Sequence, residues 1–221
     1  MKLLVIAIDG PSGAGKGTLA RTVAQRLGYR HVDTGAMYRA VAWKSQRDGI
    51  ALDDEHAVTA VAEQSAIAQE DGRTSIDGHD VTREIRTPAI DKAAAAVARL
   101  PRVREALVRE FRRLGEGGAV VMEGRDIGTV VFPDADLKFY IDASAEERAR
   151  RRASDPAHTG GQGSLELVQH DIAARDRSDS TRAVAPLARA TDAIYVDTTS
   201  MPIDAVVNHV MMQVMERLED A

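Results

Sequence analysis

The chain has 221 residues, of which 44% are hydrophobic, so it is long enough to fold as one α/β domain with at most a small insertion. Its formal net charge of −5 at pH 7 argues against nucleic acid or an anionic membrane as a partner. Aromatic residues make up 4% of the chain, which disfavours a stacking platform for single-stranded nucleic acid. The absence of cysteine excludes disulfides, thiolate catalysis and cysteine zinc sites.

Short apolar runs alternate along the chain with segments of helical period. The first run is too short to cross a membrane and no cleavage site follows it, so we expect a strand and a cytoplasmic protein. Strands are predicted at 3–8, 119–123, 137–142 and 193–197. Helices are predicted at 16–27, 35–47, 101–114, 144–153, 164–177 and 202–219. This alternation is typical of βαβ units and a parallel sheet.

Two stretches interrupt the alternation. Residues 71–87 hold two short strand-like pieces around Asp77-Gly78, a dipeptide typical of hairpin turns. They are predicted to form a small antiparallel insertion, with a solvated loop as the alternative. Residues 154–164 are polar and glycine-rich, which fits either a mobile lid or an idle surface loop.

The stretch DGPSGAGKGT, residues 9–18, joins the first predicted strand to the first helix. Backbone N–H groups of such a loop can surround a phosphate, and Lys16 can reach the outer phosphates of a nucleoside triphosphate. The strict P-loop pattern fits from Gly10 to Lys16, but the hydroxyl comes one residue late, at Thr18. A glycine-rich turn with a helix cap is the alternative, and Asp9 is interpreted as structural.

Arginines recur near the expected carboxyl ends of strands, where open α/β sheets bind their ligands. Phosphoryl transfer between two nucleotides brings two polyanions together, and guanidinium groups can grip their oxygens without any general base. A single arginine is more often a solvated surface charge, so the hypothesis depends on their common placement. The arginines concerned are Arg39, Arg125, Arg148, Arg150, Arg151, Arg152, Arg175 and Arg182, and Asp126 and Asp179 lie beside them in the sequence.

Several longer stretches resemble the bacterial cytidylate kinases, which are nucleoside monophosphate kinases of the P-loop class. The most specific are EGRDIGTVVFPDA at 123–135 and, within 175–187, RAVAPL. The others are IDGPSGAGKGT (8–18), DTGAMYR (33–39), EIRT (84–87), LPRVREAL (100–107) and DASAEERARRR (142–152). They are distributed from residue 8 to residue 187, nearly the whole length of the chain.

The resemblance implies a single kinase domain over residues 1–221. Its fold would be a three-layer, P-loop NTP hydrolase-like α/β fold, in which helices flank a parallel five-stranded sheet. The implied parts are a core at about 1–60, 88–152 and 165–221, an NMP-binding insertion at about 61–87, and a short lid at about 153–164.

The resemblance also implies how the donor nucleotide is held. Lys16 would bridge donor and acceptor charge, and Thr18 would help to place Mg²⁺, directly or through water. Arg125 would clamp a phosphate, while Arg148 and Arg151 would close with the lid and share the catalytic role. The ATP phosphates would lie against Gly10, Pro11, Ser12, Gly13, Ala14, Gly15, Lys16, Gly17 and Thr18.

For the acceptor nucleotide, the implied contacts are to its base, its phosphate and its ribose. Arg104 and Asp126 would read the cytosine edge, because a carboxylate accepts from the exocyclic amine and is repelled by the uracil carbonyl. The remaining contacts would come from Thr34, from Arg39 at the phosphate, from Arg175 and Asp179 at the ribose hydroxyls, and from Arg182 at base or phosphate. Ala95 departs from the family, which commonly has a base-binding serine there.

The implied activity is ATP-dependent phosphorylation of CMP and dCMP, with Mg²⁺, by a monomer that binds neither nucleic acid nor membrane. An adenylate kinase is an alternative, which the stretch at 123–135 disfavours. A nucleotide switch protein is another, but the sequence has no N-K-x-D motif for guanine. A nucleic-acid-associated factor is disfavoured by the net charge, and the scattered histidines give no metal-ligand spacing.

Overall fold

The computed structural model describes residues 3–70, 72–155 and 165–219. The strands are β1 (Val5–Asp9), β2 (Arg30–Asp33), β3 (Ile67–Glu70), β4 (Arg73–Ile76), β5 (His79–Asp80), β6 (Val120–Gly124), β7 (Leu137–Asp142) and β8 (Ile194–Asp197). The helices are α1 (Lys16–Leu27), α2 (Thr34–Arg47), α3 (Glu55–Gln64), α4 (Pro88–Val97), α5 (Pro101–Leu114), α6 (Ala145–Ala153), α7 (Leu165–Thr181) and α8 (Ile203–Glu219). A π-helical turn, Ile127–Val131, follows β6.

A five-stranded sheet of order β2-β6-β1-β7-β8 forms the middle layer, and all of its strand pairs are parallel. One face packs on α2, α4 and α5 through side chains such as Met37, Val97 and Phe111. The other face packs on α1 and α8 through Leu19 and Val210. Burial on both faces explains why the central strands are continuously apolar. The predicted three-layer α/β fold is confirmed.

A separate antiparallel sheet of order β3-β4-β5 lies between α3 and α4 along the chain. Asp77 and Gly78 form the turn between β4 and β5, and both have positive φ, at 50° and 79°. Both central residues of a type I′ hairpin turn need this conformation, which Asp-Gly adopts readily. The antiparallel sheet begins with β3 at Ile67, before the hairpin predicted at 71–87. Ile67 belongs to this sheet and also packs against the core.

Two helices, α3 and α4, lie where the sequence analysis assigns no element. The side chain of Thr87 caps α4 by accepting from the N–H of Ile90 at 3.3 Å, and Pro88 occupies its first turn. The proposed lid reaches only Ser154 and Asp155 beyond α6 within the described residues, and its positions 156–164 lie outside them. Within the described ranges, no helix is long and apolar enough to cross a membrane.

Candidate active site

The glycine loop leaves the sheet at the end of β1 and enters α1 at Lys16. Gly10 has φ 147°, and a Cβ at this position would lie 2.0 Å from the carbonyl oxygen of Ile141 in β7. Gly15 caps α1 with φ 91°, a conformation that glycine adopts without strain. The loop therefore packs tightly against β7 and turns the N-terminus of α1 toward the carboxyl edge of the sheet.

Lys16 is the buried cation of the loop, with 5% of its surface exposed. Its Nζ donates to the carbonyl oxygen of Pro11 at 2.7 Å, and within the described chain it forms no ion pair with a carboxylate. Burial, reinforced by the charge of Arg125, lowers the pKa of Lys16 to about 7. A buried ammonium with this pKa is stabilised when an anion enters the site.

Asp9 supports the next segment of the chain, as its structural interpretation predicts. Its carboxylate accepts from the N–H groups of Ile127 and Gly128 at 2.8 and 2.7 Å. Burial raises the pKa of Asp9 to about 6, although the two N–H donors favour its charged form. Asp9 thereby ties the end of β1 to the π-helical turn.

An ion pair beneath the loop fixes Ser12. Asp176 accepts from the N–H of Ser12 at 3.0 Å, and Arg148 donates to the carbonyl oxygen of Ser12 at 3.0 Å. Arg148 and Asp176 also form a salt bridge with each other. Both backbone polar groups of Ser12 are thus held by α6 and α7, so the loop is shaped before any ligand binds.

A cleft of about 680 Å³ opens above the loop at the carboxyl edge of the sheet. This is the edge where open α/β sheets bind ligands. Residues of the glycine loop, of the ends of β2 and β6 and of several helices line its wall. They include 12–19, 33–35, 38–39, 94–95, 98, 123–126, 150–152, Arg175, Asp179, Thr198, 201–203 and Val206. The volume of the cleft lies within the range of ligand-binding pockets in proteins.

At one end of the cleft, α2 begins with a cluster of polar side chains. Asp33 caps α2 by accepting from the N–H of Ala36 at 2.8 Å and pairs with Arg39 at 3.0 Å. Thr34 donates its hydroxyl to the carbonyl oxygen of Glu123 at 2.7 Å, which ties α2 to β6. The Nε of Arg39 is buried and has no hydrogen-bond partner among the described residues, so a ligand oxygen would satisfy it.

Asp126 lies on the wall between two arginines. Its Oδ2 pairs with Arg104 and its Oδ1 with Arg182, the latter at 3.1 Å. Burial raises the pKa of Asp126, and the two guanidinium groups oppose that rise. Arg104 is 2% exposed and lies behind Asp126, so the structure brings Asp126 and Arg182 to the wall but not Arg104. Ala95 of α4 lines the same cleft.

Two more ion pairs connect α7 to this region. Arg125 donates from Nε to Oδ2 of Asp179 at 2.8 Å. Asp91 of α4 pairs with Arg152 of α6 and, at 2.9 Å, with Arg175 of α7. Burial lowers the pKa of Arg152, and the nearby charge of Arg175 adds to this effect. The carboxylate of Asp91 therefore offsets the positive charge of two arginines, one from α6 and one from α7.

The predicted site residues are mostly on the wall, with four exceptions. Gly10 and Pro11 form the base of the loop, Arg104 lies behind Asp126, and Arg148 lies beneath Ser12. The predicted residues that line the cleft are Ser12, Gly13, Ala14, Gly15, Lys16, Gly17, Thr18, Thr34, Arg39, Arg125, Asp126, Arg151, Arg175, Asp179 and Arg182.

Other wall residues are given no particular contact in the sequence analysis. Arg86 follows the antiparallel sheet and belongs to the EIRT stretch, which was a signal for it. Arg152 belongs to the basic run of α6, whose helical phase toward the cleft the sequence leaves open. Pro202 and Ile203 precede and begin α8 and give the far end of the cleft an apolar surface, which no motif indicates.

The oxygen donors beside the loop fit Mg²⁺. The Thr18 hydroxyl is exposed at the wall, and Glu123 approaches the start of α1, where a Cβ on Gly17 would lie 3.2 Å from its Oε1. Mg²⁺ prefers such hard oxygen ligands and usually takes its remaining ligands from water and substrate phosphates. Among the described residues, no cluster of three or more histidine, aspartate or glutamate side chains could hold a metal by itself.

The sequence model of the cytidylate kinases matches residues 6–216. A cytidylate kinase from Pelotomaculum thermopropionicum is 49% identical over 95% of this chain and 95% of the relative. One from Desulfitobacterium hafniense is 48% identical over 99% of this chain and 95% of the relative.

Solved structures with similar folds are much more distant in sequence. A shikimate kinase from Bacteroides thetaiotaomicron has a TM-score of 0.53 at 12% identity and covers 96% of this chain and 99% of its own. A gluconokinase from Sinorhizobium meliloti has a TM-score of 0.52 at 13% identity, and the match covers 100% of this chain and 97% of the gluconokinase. At such identities these likenesses show the fold alone.

The glycine loop between β1 and α1 and the arginine-lined cleft above it define a P-loop kinase of small molecules. The family match and the full-length relatives then give the narrower class, a nucleoside monophosphate kinase. The chain belongs to the cytidylate kinase family, which confirms the resemblance found in the sequence.

Proposed function

We propose that the protein transfers the terminal phosphoryl group of ATP to CMP and dCMP and so produces CDP and dCDP. The observation that carries this proposal is the position of Asp126, which two arginines hold at the wall of the cleft that contains the glycine loop. A carboxylate held in this way accepts from the exocyclic amine of cytosine. Uracil has a carbonyl at that position and would repel the carboxylate.

The glycine loop binds the donor. Backbone N–H groups at the start of α1 point at the β-phosphate, where the positive end of the helix dipole adds to the attraction. Lys16 exchanges its contact with the Pro11 carbonyl for phosphate oxygens, which stabilise its charged form. When bound with ATP, Mg²⁺ beside Thr18 neutralises charge on the outer phosphates.

The chemical step forms one phosphorus–oxygen bond and breaks another. A phosphate oxygen of CMP attacks the γ-phosphorus of ATP in line, and the bridging oxygen leaves with ADP. The attacking oxygen is already an anion, so no side chain has to remove a proton. Lys16 and Arg125 contribute by neutralising charge that the transition state spreads over the transferred group, while Arg39 binds the acceptor phosphate.

The remaining contacts complete the proposal. Asp179 and Arg175 hold the ribose hydroxyls, and Arg151 binds the ATP phosphates. The insertion at 61–87 forms part of the acceptor site. A monomer in the cytoplasm that binds neither nucleic acid nor membrane remains our expectation, because its proposed substrates are small soluble nucleotides.

Product identification tests this proposal. Purified protein with ATP, Mg²⁺ and either CMP or dCMP should give equal amounts of ADP and the nucleoside diphosphate when the products are separated by ion exchange. The Lys16→Met variant should lose at least about 100-fold in turnover, as expected when a preorganised charge is removed from a transition state. The control Lys92→Met changes an exposed lysine of α4 and should leave turnover unchanged. ADP without CDP would contradict the proposed acceptor.

A further inference from the structure

Gln69 of β3 makes two hydrogen bonds to the main chain of a single residue, Asp33. Its Oε1 accepts from the N–H of Asp33 at 2.9 Å, and its Nε2 donates to the carbonyl oxygen of Asp33 at 2.8 Å. The two residues belong to different sheets, because Asp33 ends β2 of the parallel sheet whereas Gln69 lies in the antiparallel one. The side-chain amide thus pairs with the backbone as a neighbouring strand would.

The position of β2 explains why this pairing has an effect. β2 is an edge strand with β6 on one side, so the outward N–H and carbonyl groups of Asp33 need a partner. Gln69 supplies both partners in a part-buried place, where unpaired groups would each cost free energy. The end of β2 is therefore fixed by a residue of the insertion.

Asp33 connects the end of β2 to two features of the cleft, the start of α2 and the Arg39 guanidinium. Its carboxylate caps α2 and also holds the Arg39 guanidinium at 3.0 Å. The charge of Arg39 helps to keep the pKa of Asp33 below its usual value, against the effect of burial. A shift of the Asp33 main chain would move both the start of α2 and the guanidinium of Arg39.

Elsewhere the insertion contacts α2 through a salt bridge between Asp77 and Lys44 at 3.2 Å and through apolar packing. Ile76, Val81 and Ile85 pack on Ala36 and Ala40 in a small separate apolar cluster. Apolar packing of this kind is not directional, so it permits sliding. The paired hydrogen bonds of Gln69 therefore hold the insertion at the N-terminal end of α2, beside the cleft, whereas the Asp77–Lys44 pair lies near the other end of that helix.

We propose that Gln69 is a positioning residue for the acceptor phosphate, which acts by fixing Asp33 and through it Arg39. This inference rests on the proposed function for the identity of the acceptor. Gln69 touches no substrate in this account. Its loss weakens the binding of the acceptor nucleotide and leaves the donor nucleotide unaffected, because the glycine loop lies on other elements.

Two readouts test this proposal. Gln69→Leu keeps the size of the side chain and removes both hydrogen bonds, which should raise the KM for CMP about ten-fold. The KM for ATP and the kcat at saturating CMP should change less than two-fold. In the nucleotide-free protein, NMR should show that the main-chain amide of Asp33 exchanges with solvent faster in Gln69→Leu than in the wild type. Gln64→Leu changes an exposed glutamine at the end of α3 and should have neither effect.

Each outcome decides a separate point. Unchanged exchange at Asp33 would contradict the tether, and faster exchange with an unchanged KM for CMP would contradict its role in acceptor binding. Equal rises in both KM values would indicate general loosening and overturn the proposal. If Gln69→Leu does not fold, Gln69→Asn, whose shorter stem cannot make both bonds, takes its place. Failure of the wild-type protein to use CMP would refute the proposed function, while the exchange readout would still decide the tether.

Discussion

Lys16 donates its Nζ to the carbonyl oxygen of Pro11, 2.7 Å away in the same loop. The lysine thus turns back over the loop whose backbone N–H groups would surround a phosphate. No carboxylate within the described residues pairs with it, while the charge of Arg125 lies close enough to help lower its pKa. The nucleotide-free site therefore disfavours the charged form of Lys16, which an ATP phosphate would stabilise.

The pKa of Lys16 predicts that ATP binding takes up protons. In the nucleotide-free protein this pKa is about 7 instead of 10.5, because burial disfavours the charged amine. ATP phosphates favour the charged form, so at pH 8 the binding of ATP should take up a fraction of a proton, and affinity should fall as pH rises above 7. Calorimetry in buffers with different ionisation enthalpies measures this uptake.

Lys16→Met serves as the control for that measurement, because it removes the titrating amine and keeps much of the apolar stem. Equal proton uptake in the variant and the wild type would assign the uptake to another group.

The lowered pKa of Lys16 also affects folding stability. Lys16 favours the folded state at pH values above its pKa in the unfolded chain, and that contribution is lost as pH falls from 10.5 toward about 7.

Asp126→Asn should lower the preference for CMP over UMP. An amide can turn its NH₂ group toward the uracil carbonyl, whereas the carboxylate can only accept. The ratio of kcat/KM for the two nucleotides should fall by about ten-fold or more. Asp134→Asn changes an exposed aspartate and should leave the ratio unchanged. Equal losses with CMP and UMP would mean that Asp126 supports the site without reading the base.

Ala95→Ser should tighten the binding of CMP modestly. Ala95 lines the cleft, at the position where the sequence analysis expects a base-binding serine. One added hydrogen bond to the base should lower the Kd about two- to ten-fold, measured by calorimetry. Ala96→Ser adds the same hydroxyl to the exposed face of α4 and should leave the Kd unchanged. An unchanged Kd for Ala95→Ser would show that this position does not contact the base.

Asp91→Asn should destabilise the nucleotide-free protein. The substitution removes the negative charge between Arg152 and Arg175, whose side chains are mostly buried. We expect the free energy of unfolding in urea to fall by about 2 kcal/mol, below the full cost of a deeply buried pair because water reaches part of this site. Glu63→Gln breaks an ion pair between exposed side chains and should cost less than about 1 kcal/mol. Equal losses in both variants would contradict a special role for Asp91.

The glycine loop and four of the five strands of the parallel sheet could be predicted from the sequence because they depend on local spacing, whereas β2, α3 and α4 were not predicted. The helix predicted at 101–114 coincides with α5. Helix α4 was not predicted, although Thr87 and Pro88 mark its start and its buried residues have helical spacing, at Ile90, Ala93, Ala94 and Val97. Helix α7 extends to Thr181, four residues past the predicted end at 177, since its weak amphipathic pattern does not mark a boundary.

The candidate site shows where sequence reasoning ends. Arg39 and Asp126 lie in motifs whose resemblance to the family implies contact with the acceptor phosphate or base. Which arginines of α6 face the cleft depends on how that helix packs against the loop, so Arg152 could not be selected from the sequence. Gln69 is separated from Asp33 by 36 residues in sequence and belongs to no motif, so only the packing of two sheets brings them together.

The central claim, transfer of phosphate from ATP to a cytidine monophosphate, is tested most directly by the choice of acceptor. ADP release is measured in a coupled assay with ATP and Mg²⁺ against CMP, dCMP, UMP, AMP and shikimate. We predict strong turnover with CMP and dCMP, weak turnover with UMP and none with AMP or shikimate. Preferential turnover with any acceptor other than a cytidine monophosphate, or only slow ATP hydrolysis with all of them, would contradict the account.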